Sequence, residues 1–106
     1  MIIGSIRTIP QYENADKIEA VKVLEEATEV YQEWKILYSF KKRNMKLNPE
    51  YLEDECADLI MALSNMLAGF GVTDLTEAIK RCEQRNEKRG RYGTSESSEQ
   101  LVDRQA

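Results

Sequence analysis

Four carboxylates carry the chemistry this sequence can offer. In "VLEEATEVYQEW", Glu26 and Glu29 are three residues apart. Further along, in "EDECADLI", Glu55 and Asp58 repeat the same spacing. Residues three apart on a helix are surface neighbours, so each pair presents its oxygens side by side. Both pairs flank apolar positions, and antiparallel packing of the two helices would bring them face to face. Such a cluster repels itself until a cation enters it. A donor set of oxygens alone suits a hard ion, Mg²⁺ or Mn²⁺. The competing reading is a solvated acidic face, since about a third of the chain is charged.

The rest of the composition narrows the chemistry. The chain has no histidine, which excludes Ser-His-Asp and Cys-His catalysis and most zinc sites. Cys56 and Cys82 lack metal or redox spacing and read as reduced thiols. A formal net charge of −4 argues against a nucleic-acid binder. No apolar run is long enough for a membrane span, and "MIIGSIRTIP" lacks a signal-peptide pattern. A cytoplasmic location is expected.

The elements that position the carboxylates read as helices. Asp16 and Glu19 resemble a capping box. From there Ala20, Leu24, Ala27, Tyr31, Trp34 and Tyr38 recur at alternating spacings of four and three, with Val23, Val30 and Leu37 beside them, predicting a helix over about 16–40. Asn48-Pro49-Glu50 starts a second helix. Its seam is Leu52, Cys56, Leu59, Leu63, Met66 and Phe70, with Ile60 and Leu67 beside it, and Gly69 and Gly71 end it. Thr73-Asp74 caps a third helix, with Leu75, Ala78, Ile79 and Cys82 inward and Gly90 as its stop. Residues 1–12 read as an N-terminal arm or short strand, 13–90 as the helical domain and 91–106 as a disordered tail. The fold class is all-α. Helices 1 and 2 carry more apolar surface than one neighbour covers, which predicts a bundle completed by homo-oligomerisation, as a homodimer or homotetramer.

The double motif Glu25-Glu26-x-x-Glu29, 25 intervening residues, Glu55-x-x-Asp58 resembles the signature of the all-α nucleoside triphosphate pyrophosphohydrolases of the MazG-like superfamily. The resemblance covers roughly residues 16–90. It implies that Glu26, Glu29, Glu55 and Asp58 bind Mg²⁺ and form the catalytic site. It also implies a nucleoside triphosphate substrate, cleaved between the α and β phosphates to monophosphate and pyrophosphate. Glu29 is one candidate for the base. Asn86 and Arg89 resemble an Asn-x-x-Arg segment of several relatives and are expected to contact sugar or phosphate. Cys82 stands where those relatives carry a Lys, leaving Arg81 or Arg85 to supply the charge. A basic helix C-terminus explains the same cluster without a ligand. Trp34 resembles a Trp that lies by the base in dCTP-hydrolysing relatives and is the candidate to stack on a nucleobase, although its seam position favours core or dimer packing. Two alternatives remain open: a phosphoribosyl-ATP pyrophosphohydrolase-like enzyme, and a non-catalytic helical dimerisation or nucleotide-binding module.

Overall fold

A computed structural model describes residues 1–9 and 17–93. Among them are three helices and no strand: α1 (Lys17–Lys42), α2 (Glu50–Ala68) and α3 (Thr76–Lys88). The expected cap Asp16, the 12/13 boundary and residues 94–106 of the expected tail lie outside the described residues. Among the described residues no helix is long and apolar enough to cross a membrane. The contacts divide the chain into two units, Met1–Thr73 and Asp74–Ala106, and each is described by itself.

In the first unit α1 packs on α2. The pair is antiparallel: Glu29 and Glu26 lie beside Glu55, whereas Ile18 and Glu19 share a cavity with Ala62 and Asn65. The arm, residues 1–9, has no regular secondary structure. It is tied to α2 where the Ile9 N–H donates to Asn65 Oδ1 at 3.0 Å.

All three helices stop the same way. Met45 N–H donates to Phe40 O at 3.0 Å, Val72 N–H to Leu67 O at 3.1 Å and Arg91 N–H to Asn86 O at 3.0 Å. The residue before each of these donors has positive φ: Asn44 at 54°, Gly71 at 80° and Gly90 at 71°. Each end is a Schellman turn, which satisfies the last carbonyls only when one residue turns left-handed. Gly69, expected to share in ending α2, is instead right-handed at φ −60°. The two glycines therefore respond oppositely to alanine. Gly71→Ala should lower stability by about 1 kcal/mol through the left-handed backbone alone, since no atom lies near its new Cβ. Gly69→Ala should be neutral or stabilising by up to about 1 kcal/mol. Urea unfolding of the two variants checks the contrast.

At the start of α2, Asn48 Oδ1 accepts the Glu50 N–H at 3.2 Å. At the start of α3, Asp74 Oδ1 accepts the Thr76 N–H at 2.8 Å and its hydroxyl at 2.6 Å. Both expected caps hold at residue level.

On α1 the flanking positions Val23, Val30 and Leu37 are half-buried as expected, but the expected main seam does not face inward. The buried and half-buried positions are Glu19, Val23, Glu26, Val30, Glu33, Leu37 and Phe40. This is a seam of alternating four and three spacings, rotated one residue from the expected one. The expected seam lies outside: Leu24 is 68% exposed, Tyr31 58%, Trp34 45% and Tyr38 46%. On α2 most of the expected seam is half-buried, but Leu63 and Phe70 are exposed and the most buried positions are Ala62 and Asn65. In the second unit Leu75, Ile79 and Cys82 are exposed and Ala78 is half-buried. Ala62 is the single buried apolar residue among those described.

Candidate metal and ligand site

The rotated seam places carboxylates between helices. Glu26 sits on the inward face of α1 and is only 7% exposed. One turn on, Glu29 reaches around the edge of the same face and is exposed. Glu55, in the second turn of α2, is half-buried opposite them. One oxygen from each of the three lies within 4.8 Å of the others.

This triad has two unanswered oxygens. Glu26 Oε2 and Glu55 Oε2 are buried without a hydrogen-bond partner. Glu26 Oε1 is paired with Lys22 Nζ at 3.2 Å, and Glu26 is the main reason the Lys22 ammonium is held above its ordinary value. A buried carboxylate oxygen left unpaired is costly, so the donor set calls for a partner that brings positive charge. Hard oxygen donors alone suit Mg²⁺ or Mn²⁺.

The Glu29 carboxyl is held above the ordinary 4.5 of a glutamate, first because it shares a hydrogen bond with Glu55 and then because of the charge of Glu26 and a hydrogen bond to it. Two carboxylates this close are favoured with a proton between them. The sign of the pH dependence follows. Between 4.5 and the raised value the folded chain holds the extra proton and the unfolded chain does not. Stability of the metal-free protein should therefore fall as pH rises through that window, and Glu29→Gln should remove the slope. If a cation occupies the triad it must displace the same proton, and any rise in melting temperature with Mg²⁺ should then be smaller at about pH 5 than at about pH 8. Melting curves over pH, with and without Mg²⁺, read both effects.

Asp58 is not in the triad. It lies one turn along α2, is exposed, and lines a cavity of about 550 Å³ with Glu26. The same cavity is lined by Ile9, Ile18, Glu19, Lys22, Met61, Ala62 and Asn65. Glu19, Lys22 and Asn65 were not read from the sequence as site residues. Their signal was spacing. Glu19, Lys22, Glu26 and Glu29 form one stripe at intervals of three and four, and Glu55, Asp58, Ala62 and Asn65 form its partner on α2.

Trp34 stands on the outer face of α1, away from the residues lining this cavity. Its ring stacks on Tyr31 at 6.0 Å and on Tyr38 at 5.0 Å, nearly parallel to both. Lys35 lies over Tyr31 and Lys42 over Tyr38. In the second unit Asn86 is engaged locally. Its Oδ1 accepts from Arg91 Nη1 at 2.9 Å, and its Nδ2 approaches Cys82 Sγ at 3.8 Å. Arg89 caps α3, its N–H directed to Arg85 O. Arg91, the partner of Asn86, was not anticipated.

Comparison of the chain with protein-family models, curated proteins and solved structures finds no match.

Proposed function

We propose that the protein is a Mg²⁺-dependent nucleoside triphosphate pyrophosphohydrolase of the MazG-like kind, releasing monophosphate and pyrophosphate. The observation that carries this reading is the convergence of Glu26, Glu29 and Glu55 from two helices, with two of their oxygens buried and unpartnered. An incidental acidic face leaves its carboxylates in water. Here one glutamate is nine-tenths buried.

In this reading Glu26, Glu29 and Glu55 hold the cation, with Asp58 one turn away. A divalent cation supplies neutralisation of phosphate charge and activation of water. Glu29, exposed at the edge of the triad, is the candidate to accept the proton of the attacking water. Lys22 lies beside the carboxylates and gives the polyanionic substrate a cation. Asn86 and Arg89 remain the candidates for further sugar or phosphate contacts. Both cysteines are free, in keeping with a reducing cytoplasmic setting.

The exposed seam of α1 supports a second part of the proposal. Leu24, Tyr31, Trp34 and Tyr38 form a continuous outward stripe, beyond the scattered exposure a monomer tolerates. It is the face on which a second copy packs to complete a homodimer or homotetramer. A non-catalytic helical dimer is the alternative, favoured by that same stripe. Product analysis decides between them. With Mg²⁺ the purified protein should convert triphosphates to monophosphate and pyrophosphate and should lose this activity in EDTA. Release of orthophosphate, or no product at all, refutes the enzymatic reading.

A further inference from the structure

Next to the triad, the cavity holds a buried carboxylate that the hydrolytic reading leaves unused. Glu19 is only 6% exposed, lines the cavity, and its Oε2 has no hydrogen-bond partner. Burying a carboxylate oxygen without a donor costs free energy, and among the described residues no donor reaches Oε2. Such a group is poised to receive N–H donors from a ligand.

Its surroundings narrow that ligand. Ile9, Ile18 and Met61 give the cavity apolar walls suited to a flat ring, and its volume of about 550 Å³ falls in the range of small-molecule sites. Asn65, 8% exposed, lines the same space. Its Oδ1 is occupied by the Ile9 N–H, which fixes the amide so that Nδ2 is its donor limb. The cavity thus offers a carboxylate acceptor and an amide donor. Glu26, which belongs to both the cavity and the triad, joins this space to the cation ligands. Glu19 and Glu26 are seven residues apart on one helix face, or about 10 Å along the axis, a span suited to separating a base edge from the phosphates of one nucleotide.

We infer that this cavity is a base-reading pocket selective for guanine nucleotides, with Glu19 accepting the N1–H and N2 amino hydrogens and the Asn65 amide donating to O6. The inference rests on the nucleotide-hydrolysing reading and adds its specificity. Guanine alone among the common bases presents two adjacent donors to a carboxylate beside an acceptor. Adenine and cytosine present one donor next to an acceptor, so a ring nitrogen lone pair would face Glu19. Uracil and thymine present one donor between two carbonyls, one of which would face the carboxylate.

The test is pyrophosphate release in Mg²⁺ from GTP, ATP, CTP, UTP and their deoxy counterparts, for the parent and for Glu19→Gln. The parent should favour guanine by about 100-fold in kcat/KM, because a site built to pair a donor rejects a base that leaves its polar group unpaired. Glutamine offers one acceptor and one donor, the complement of adenine or cytosine. Glu19→Gln should therefore lower kcat/KM for guanine about 100-fold and move the preference to one of those bases. A parent that hydrolyses all bases alike, or prefers another base, overturns the pocket assignment while the hydrolytic reading stands. A Glu19→Gln protein that keeps the guanine preference overturns it as well. Hydrolysis of no nucleotide at all removes the reading beneath it, and this inference with it. Should Glu19→Gln not fold, the base profile of the parent decides alone.

Discussion

Glu55→Gln is expected to melt at the same temperature as the parent, or slightly higher, in the absence of metal, and to lose the response to Mg²⁺ almost entirely. Glu55 contributes an unpartnered buried oxygen to a triad whose members lie within 4.8 Å of one another. Neutralising it relieves repulsion with Glu26 and Glu29 while deleting a ligand. A cation that binds only the folded chain stabilises it by about 2.7 kcal/mol when supplied at about 100 times its Kd. For a domain of this size that corresponds to a rise of roughly 10–20 °C in the parent. The variant should show little of it, and its turnover should fall by orders of magnitude because a ligand of the catalytic cation is gone. Glu29→Gln should behave alike. A solvated acidic face predicts the opposite pattern, with no Mg²⁺ response in the parent and no activity to lose.

The second large effect is expected at Trp34, on the outer seam. If that stripe is where copies of the chain meet, Trp34→Glu introduces a charge into the centre of the contact. Aromatic anchors at such centres are worth about 2 kcal/mol or more. A two-fold interface carries the change twice, which gives roughly 4 kcal/mol, or about a thousandfold in the dissociation constant. The released monomer has little to hold it, since Ala62 is the one buried apolar residue among those described. Trp34→Glu should therefore shift light scattering to monomer mass and lose much of the helical circular dichroism at low micromolar concentration. A variant that keeps the parent's mass and melting curve excludes the stripe as the interface. Such a result would make the stacked Tyr31, Trp34 and Tyr38 rings a local feature of α1.

Much of the architecture is legible in the sequence, and the exceptions have physical causes. Helix positions follow from Asn48, Asp74 and Gly90, residues whose side-chain acceptors or backbone freedom act locally. Asn44 closes α1 by the same left-handed turn as Gly71 and Gly90, and escaped notice because an asparagine is a weaker stop signal than a glycine. The facing direction of α1 did not follow. Two seams run along it with one period, a single residue apart. The apolar one, Leu24 to Tyr38, draws the eye because hydrophobicity marks whichever face is buried in the final assembly, within the chain or between chains. The other, the face that α1 turns to α2, carries three acids among its seven positions, Glu19, Glu26 and Glu33. Glutamates at a helix–helix contact oppose the general rule that charge stays outside, so patterning misplaces them, while the i, i+3 spacing of Glu26 and Glu29 still identifies them as a site. Glu55 was legible for the same reason. Asp58 was grouped with them by spacing, yet the structure sets it one turn away in the cavity. Glu19 was legible only as a cap residue, because its burial comes from α2 and no local pattern encodes that.

The claim at the centre of this account is that Glu26, Glu29 and Glu55 together hold a divalent cation. Electron paramagnetic resonance of Mn²⁺ tests it without recourse to turnover, since the sharp signal of free Mn²⁺ diminishes as the ion binds. Titrating the parent should remove free signal saturably, Mg²⁺ should restore it by competition, and Glu55→Gln should leave it as in buffer. A parent that leaves the free Mn²⁺ signal unchanged at millimolar concentration and about pH 8, where protons no longer compete with the cation, contradicts the claim.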